Sequence, residues 1–230
     1  MKKTIFITGA TSGIGKATAE VFAKQGHRLI ICGRRKEVLD NLQIQLSNFT
    51  DVYSLVFDVR NQQEVQNAIN SLPEDWKNID VLVNNAGNAH GLEPISDANI
   101  SDWDAMMDGN VKGLLYVSQP IIKLMKANNS GHIVNISSVA ARQTYANGTV
   151  YCASKKAVDV ISEGMRLELT EFGIKVTNVQ PGAVETDFSK VRFKGDEERD
   201  ATVYAGYEPL IAEDIADAIS YGVNAPERVS

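Results

Sequence analysis

Short runs of apolar residues alternate along the chain with longer stretches in which apolar residues recur every three or four positions. The short runs predict β-strands, and the stretches with helical spacing predict amphipathic helices between them. Strands that alternate with amphipathic helices are typical of βαβ units, so we predict an α/β fold with helices on both faces of a doubly wound parallel sheet. The predicted strands span residues 3–8, 28–32, 52–57, 79–83, 132–136 and 175–180.

Two long helices are predicted in the second half of the chain. Ser101, followed by acidic residues, predicts the N-cap of a helix that runs towards residue 126, and two glycines with Pro120 predict a kink in it. Residues 149–172 predict the other long helix, and residues 212–223 predict the last one.

The organisation of the chain is simple. Residues 181–207 are weakly patterned, and we predict a flexible substrate loop at about 186–207. The sequence has no linker, no low-complexity segment and no internal repeat. We therefore predict one domain that spans residues 1–230.

Composition narrows the classes of function. The 23 Lys and Arg residues against 29 Asp and Glu give a formal net charge of −6, which argues against a nucleic-acid or anionic-membrane partner. The apolar runs are far too short to cross a bilayer. Cys32 and Cys152 lack metal-ligand spacing and the three histidines are scattered, so we predict no metal site. The amino terminus reads as a buried strand and not as a signal peptide, so we expect a cytoplasmic protein.

A glycine-rich stretch joins the first predicted strand to the first predicted helix. Such a loop brings free N–H groups and the positive end of a helix dipole to one place, which suits a pyrophosphate. Its spacing, G-x-x-x-G-x-G, differs from the common G-x-G-x-x-G fingerprint, and the alternative is a turn that only caps the helix. Because a strand precedes it and a helix follows, we predict a dinucleotide loop made of Gly9, Ala10, Thr11, Ser12, Gly13 and Ile14.

The end of the second predicted strand indicates which dinucleotide binds. An NAD-binding domain usually has Asp or Glu there, which accepts hydrogen bonds from the ribose 2′-hydroxyl. Here the strand ends in Arg34 and Arg35, and guanidinium groups bind phosphate oxygens in pairs. We therefore predict NADP as the cofactor, the alternative being a solvated basic helix start.

Tyr151 and Lys155 lie four residues apart on a predicted helix and so share one face. A free phenol has a pKa near ~10, too high for a proton carrier at neutral pH. An ammonium held about 4 Å away would favour the phenolate by roughly 4 kcal/mol at an effective dielectric of about 20. We therefore predict that Lys155 lowers the pKa of Tyr151, so that the pair exchanges a proton with an alcohol or carbonyl oxygen. A surface tyrosine and lysine would show the same spacing.

Further residues at the predicted strand ends and on the long helices complete a set of ordered motifs. The set is Thr8, Gly9, Gly13, Gly15, Asp58, Val59, Asn84, Asn85, Ala86, Gly87, Asn110, Ser138, Tyr151, Lys155, Pro181 and Gly182. Each motif is weak alone, but their ordered occurrence at predicted strand ends is specific. Taken in chain order, they resemble the short-chain dehydrogenase/reductase family over nearly the whole length. The resemblance implies a Rossmann-type fold and hydride transfer between a nicotinamide cofactor and a CH–OH group.

The resemblance implies cofactor contacts at the strand ends. Asp58 would contact the adenine amino group, and Val59 would pack against the adenine ring. The segment with Asn85, Ala86 and Gly87 would lie beside the adenine ribose. Further cofactor contacts are implied for Tyr151, Lys155, Pro181, Gly182, Val184 and Thr186.

The resemblance also implies four catalytic residues. Tyr151 would be the general acid/base, and Lys155 would lower its pKa and bind the nicotinamide ribose. Ser138 would donate a hydrogen bond to the substrate oxygen, and Asn110 would hold a water that continues the proton path. Ser137 competes with Ser138, but Tyr151 lies 13 positions after Ser138, which matches the family's usual gap and favours Ser138. For Asn110 the alternative is a side chain that bonds a nearby backbone group.

A closer resemblance points to a substrate class. Segments 145–148 and 189–196, with the arginine pair above, are similar to NADP-dependent 3-hydroxy acid dehydrogenases that also oxidise serine and allo-threonine and reduce malonic semialdehyde. A short 3-hydroxy acid has a carboxylate, which a cation should meet. We predict Arg192 for this role, in a loop suited to a substrate lid. Arg142 and Lys194 are the other candidates.

Two expectations concern the sheet edge and the assembly. Members of this family usually continue past the last helix into a seventh strand, and this sequence ends before one, so either the sequence is shortened or the sheet lacks this edge strand. The two long helices that pair across subunits in the family are present in the pattern, so the resemblance implies a homo-oligomer, a tetramer or a dimer.

Two alternative functions stay open. The first is reduction of some other carbonyl compound, because fold and catalytic residues do not fix the substrate. The second is a nucleotide-sensing or interaction protein without chemistry. The sequence has the implied residue at all four catalytic positions, which a protein without chemistry would not need, and this argues against the second alternative.

Overall fold

Six parallel strands form the central sheet of the protein. The computed structural model describes residues 2–196, 199, 206, 208–226 and 228–229. Every predicted strand is present to within two residues, and the α/β prediction of a doubly wound sheet is confirmed. In the described part of the chain no seventh strand pairs with this sheet. The strands are β1 (Thr4–Ile7), β2 (Arg28–Gly33), β3 (Val52–Val56), β4 (Val81–Asn84), β5 (Gly131–Ile136) and β6 (Ile174–Val179). Their order in the sheet is β3-β2-β1-β4-β5-β6.

Helices cover both faces of the sheet because consecutive strand residues point to opposite sides. In β1, Phe6 enters one apolar core, while Ile5 and Ile7 enter the other. The helices are α1 (Gly13–Lys24), α2 (Lys36–Leu46), α3 (Gln62–Asn70), α4 (Ile100–Met107), α5 (Gly113–Ala127), α6 (Thr149–Leu169), α7 (Phe188–Arg192) and α8 (Ala212–Asn224). The first core packs on α3, α5 and α6, and the second on α1, α2 and α8.

The strand order reverses between β1 and β4, and this position determines where a ligand can bind. Strands β2 and β3 lie on one side of β1, and β4 to β6 lie on the other. The loops that follow β1 and β4 therefore leave the sheet in opposite directions and open a crevice at the carboxyl ends of the strands.

The helix predicted to begin at Ser101 begins earlier and is divided in the middle. Its N-cap is Asn99, whose side chain accepts the Ser101 N–H at 2.9 Å, so the prediction of Ser101 as the cap is wrong. The Ser101 hydroxyl also donates to Asn99, at 2.8 Å. A π-helical turn at Asp108–Lys112 separates α4 from α5. Such turns often occur at functional sites, and this one contains Asn110.

The weakly patterned region after β6 contains structure that the sequence did not predict. Residues Val184–Glu185 (β7) pair in parallel with Leu210–Ile211 (β8) in a small second sheet, and α7 follows β7. Two-residue strands and a single helical turn are too short to show a hydrophobic period. Of the predicted loop at 186–207, positions 197, 198, 200–205 and 207 lie outside the described residues.

Neither a membrane span nor a metal cluster is found among the described residues. No helix there is long and apolar enough to cross a bilayer. No group of three or more His, Cys, Asp and Glu side chains there could hold a metal ion.

His132 in β5 makes the stability depend on pH. The ring is buried, and Nε2 lies 2.8 Å from the Thr177 hydroxyl, while Nδ1 has no partner among the described residues. Burial, with smaller contributions from Lys175 and Lys3, lowers the pKa of His132 to about 4. Because the folded pKa lies below the unfolded one, this stability is present above about pH 6.5 and is lost as pH falls towards 4.

When the pH is lowered from about 8 to about 5, we expect the free energy of unfolding of wild type to fall by about 2 kcal/mol more than that of His132→Gln. The variant retains a polar side chain that does not titrate, and the other acid-sensitive groups cancel in the comparison. Urea unfolding of both proteins at the two pH values measures the difference. Parallel losses in the two proteins would contradict this role of His132.

Candidate active site

A cavity of about 500 Å³ lies at the carboxyl ends of the strands, in the crevice beside β1 and β4. Its volume is within the range of ligand pockets. Every residue predicted to bind the cofactor lines it except Ala10, which is fully buried in the core. The predicted residues that line it are Gly9, Thr11, Ser12, Gly13, Ile14, Arg34, Arg35, Asp58, Val59, Asn85, Ala86, Gly87, Ser138, Tyr151, Lys155, Pro181, Gly182, Val184 and Thr186.

The glycine loop is bound tightly to the loop after β4. The Thr8 hydroxyl accepts the N–H groups of Asn85 at 3.0 Å and Ala86 at 2.9 Å, and the Asn85 amide donates to the Thr8 carbonyl at 2.9 Å. Gly9 has a φ of +64°, and a Cβ on Gly15 would lie 2.4 Å from the Gly9 oxygen. Side chains are therefore excluded at both positions. No side-chain hydrogen bond from Ser12 caps α1, and Ser12, Gly13 and Ile14 line the cavity, so the first N–H groups of this helix are placed to suit a pyrophosphate.

Three arginines, Arg34, Arg35 and Arg60, line the cavity beyond the ends of β2 and β3. Arg35 donates to the Thr11 hydroxyl at 2.9 Å, and Arg34 lies 3.6 Å from the Asp58 carboxylate. Arg60 binds the same carboxylate through three contacts of 2.6 to 3.1 Å. Burial alone raises the pKa of Asp58, but hydrogen bonds from Arg60 hold it below its usual value. Arg60 was missed in the sequence, although it directly follows the Asp58-Val59 motif.

Tyr151, Lys155 and Ser138 line the cavity beyond the end of β5. The Lys155 ammonium is buried and donates to the Ile136 carbonyl at 2.9 Å, and it lies 6.0 Å from the centre of the Tyr151 ring. The Ser138 hydroxyl lines the cavity together with Tyr151 and acts to lower the pKa of its phenol. The competing Ser137 instead donates to the Lys155 carbonyl at 2.9 Å. The geometry thus brings Ser138, and not Ser137, to the phenol.

The prediction that Lys155 lowers the pKa of Tyr151 is wrong for the chain by itself. Burial raises the pKa of Tyr151 to about 12, against lowering effects of the Ser138 hydrogen bond and the Arg192 charge. Burial also lowers the pKa of Lys155 to about 8. The prediction was based on an ammonium about 4 Å from the phenol in a polar medium, whereas in the folded chain both groups are desolvated.

Asn110 lies behind the cavity and does not line it. Its amide donates to the Asn88 carbonyl at 2.8 Å and to the Ser154 hydroxyl at 3.0 Å, and its oxygen accepts the Asn88 N–H at 2.7 Å. A Cβ on Gly87 would lie 3.0 Å from the Asn110 oxygen and 3.5 Å from the Lys155 nitrogen. Asn110 therefore fixes the loop after β4 next to Lys155, and the backbone bonding considered in the sequence is present.

Arg192 faces Tyr151 from α7. Its guanidinium lies 5.6 Å from the ring centres of Tyr151 and Tyr145. Its Nε donates to the Gly91 carbonyl at 3.0 Å, and its own carbonyl accepts the Gly91 N–H at 3.0 Å. These two bonds hold α7 against the loop after β4, with the charge beside the phenol.

The other cations considered for the substrate carboxylate are placed differently. Lys194 pairs with the Asp102 carboxylate at 2.9 Å, and Arg142 is exposed beyond a short 3₁₀ turn. Neither residue lines a cavity with Tyr151, whereas Arg192 does.

A second, smaller cavity of about 20 Å³ shares Tyr151 and Arg192 with the site. Its remaining wall comes from the loop after β4, from α4 and from the start of α6, and it includes His90, Glu93 and Asp102. These three residues were missed as site residues, because no spacing motif marks them. Phe188 of α7 was also missed, and its ring packs edge-on against Tyr151, with ring centres 5.9 Å apart.

A nucleotide-sized cleft with a glycine loop at one end and a Ser-Tyr-Lys group at the other matches one family. The short chain dehydrogenase family model matches residues 3–197. The chain belongs to this family. The resemblance stated from the motifs is thereby confirmed.

Known relatives extend over nearly the whole chain. An NADP-dependent 3-hydroxy acid dehydrogenase, YdfG of Salmonella typhi, is 41% identical over 98% of this chain and 91% of its own length. Sulfoacetaldehyde reductase 2 of Chromohalobacter salexigens is 40% identical over 100% of this chain and 92% of its own. The solved closed form of a serine dehydrogenase complexed with NADP⁺ has a TM-score of 0.94 at 40% identity, covering 98% of this chain and 91% of that one.

Proposed function

We propose that this short chain dehydrogenase is an NADP-dependent oxidoreductase that interconverts short 3-hydroxy acids, such as serine or 3-hydroxypropanoate, and their semialdehydes. One observation carries the proposal. Arg192 lies beside Tyr151, at the edge of a cleft that is also lined by Arg34, Arg35 and Arg60. The named relatives that use NADP and hydroxy acids support it.

The residues of the cleft fit NADP. The N–H groups of the glycine loop would hold the pyrophosphate, and Arg34, Arg35 and Arg60 offer guanidinium groups for a 2′-phosphate. Asp58 and Val59 would border the adenine, and Pro181 to Thr186 would border the nicotinamide. When bound, the cofactor accepts or gives the hydride, while the protein supplies orientation and a proton.

Tyr151 supplies the proton in this proposal. The pKa of about 12 keeps the phenol protonated at neutral pH, so it can donate to a carbonyl oxygen during reduction. Ser138 would hold the same substrate oxygen. Lys155 places a positive charge behind the phenol and would bind the cofactor ribose, and Asn110 keeps the neighbouring loop in register. In the direction of oxidation the rate should rise with pH.

A second candidate substrate class has a sulfonate in place of the carboxylate. A guanidinium binds either anion, and a relative at 40% identity is named a sulfoacetaldehyde reductase. The second candidate keeps the same cofactor and the same proton donor.

We further propose that the protein works in the cytoplasm as a homo-oligomer, a tetramer or a dimer. The support is that both long helical segments that pair across subunits in this family are present: α4 with α5 is one, and α6 is the other. Size-exclusion chromatography with light scattering tests the assembly, and a monomer at assay concentration would contradict it.

Arg192→Gln should separate binding of the acid group from the chemistry. We expect the KM for 3-hydroxypropanoate to rise about 10- to 100-fold, because a charge-assisted contact is lost, while kcat changes little. The KM for 1-propanol, which lacks the acid group, should not change. Steady-state kinetics with NADP measures both values.

Lys190→Gln is a matched control on the same helix. Lys190 is exposed, and its one ion pair in the described part of the chain is with Asp187, at 3.5 Å. Equal KM values for 3-hydroxypropanoate in wild type and Arg192→Gln would contradict the role of Arg192 in binding the acid group.

A further inference from the structure

The small cavity beside Tyr151 contains a polar side chain that the proposed chemistry does not use. His90 follows the loop bound by Asn110, and it lines this cavity together with Tyr151 and Arg192. At about 20 Å³ the space suits a group about the size of one water molecule. It is therefore large enough for one substituent of a small substrate and too small for a ring.

The imidazole of His90 lacks a partner for one nitrogen. Its Nδ1 is buried and makes no hydrogen bond to any of the described residues. A buried polar atom without a partner is unfavourable, so a ligand group that pairs with it would recover that free energy. Burial lowers the pKa of His90, against the effect of Asp102, so the ring is neutral at pH 7 and one ring nitrogen can accept a hydrogen bond.

The neighbours of His90 favour a donor group. Glu93 and Asp102 line the same cavity, and both carboxylates already have cationic partners, Arg199 at 3.1 Å and Lys194 at 2.9 Å. These ion pairs reduce the net charge of the wall while leaving it rich in acceptor oxygens. An ammonium or hydroxyl group fits such a wall better than a second carboxylate does.

Arg192 already accounts for the acid group. Its Nε is used by the Gly91 carbonyl, and the two terminal nitrogens of a guanidinium suffice for a carboxylate. A second polar contact from His90 is thus left for a different part of the substrate. The carbon between the acid group and the reacting carbon is the nearest position that can bear one.

We propose that His90 is a specificity-determining residue that binds an amino or hydroxyl group at C2 of the substrate, so that the enzyme prefers 2-substituted 3-hydroxy acids. This inference rests on the proposed function. It assigns the acid group to Arg192, the reacting oxygen to Tyr151 and the C2 substituent to His90.

His90→Leu tests the proposal, because it removes both ring nitrogens at similar size. Three substrates that differ only at C2 are compared with NADP: serine, glycerate and unsubstituted 3-hydroxypropanoate. We expect kcat/KM to fall about 10- to 100-fold for serine and glycerate and to change less than about threefold for 3-hydroxypropanoate. His90→Gln, which keeps a hydrogen-bonding end, should restore part of the loss for the two substituted acids.

The outcomes separate this inference from the proposed function. Equal losses for all three acids would show a structural or acid-group role for His90, and no loss for any would show that the cavity holds only water; either result overturns the inference alone. A wild-type enzyme that turns over none of the three acids, while reducing other carbonyls, would overturn the proposed function and this inference with it. NADP affinity unchanged in His90→Leu confirms an intact cleft in each comparison.

Discussion

Tyr151→Phe is expected to lower kcat for 3-hydroxypropanoate oxidation about 100- to 10,000-fold, the range for loss of a general acid/base. The ring stays in place against Phe188, so NADP binding should change little. The substrate oxygen would retain Ser138 but lose its proton partner. Initial rates of NADP reduction, followed by the absorbance of the reduced nicotinamide, measure the effect.

Tyr53→Phe is the matched control for that substitution. Tyr53 packs against Trp76, with ring centres 5.5 Å apart, and does not line either cavity that contains Tyr151. Its variant should have wild-type kcat. A Tyr151→Phe enzyme with wild-type kcat at every pH would exclude Tyr151 as the proton donor.

The second large effect concerns the choice of cofactor. We expect Arg34→Ser to raise the KM for NADP about 10- to 100-fold, because one cationic partner of the 2′-phosphate is lost. The KM for NAD, which has no such phosphate, should stay within about threefold. Arg34 is largely exposed at the end of β2, so the substitution leaves the core intact.

Lys36→Ser removes a positive charge two positions further on and serves as the control. Lys36 pairs with Asp40 at 2.6 Å on the surface of α2 and does not line the cleft. If both variants lost NADP affinity equally, the effect would be one of general charge, and the specific role of Arg34 would be lost.

The fold could be predicted from the sequence because its signals are local and repeated. Each buried strand is an apolar run, and each covering helix has one apolar face, so the order of elements follows from their period. Asn99 was missed as the N-cap because Ser101, two residues later, is an equally good capping type. The pair β7 and β8 depends on a contact between segments 26 residues apart along the chain, which no local period shows.

The site was predictable where a motif places a residue at a strand end. The glycine loop, Arg34, Arg35 and the group of Ser138, Tyr151 and Lys155 all line one cleft as expected. Arg60 and His90 were missed because their roles depend on which loops pack together.

Electrostatics was the other part that the sequence could not supply. Spacing along a helix predicted a phenol activated by Lys155, whereas the buried surroundings raise the pKa of Tyr151 to about 12 and lower that of Lys155 to about 8. Burial depends on the packed structure, so no helical spacing could have revealed its size or direction.

The most direct test of the proposed function is a comparison of initial rates in which one component is exchanged at a time. Wild-type enzyme is assayed with NADP and 3-hydroxypropanoate, then with NAD in place of NADP, and then with 1-propanol in place of the acid. We expect the first pair to exceed each exchange by at least about tenfold in kcat/KM, since each exchange removes one charged contact. Equal rates with NAD, or with 1-propanol, would contradict the function proposed for this cleft.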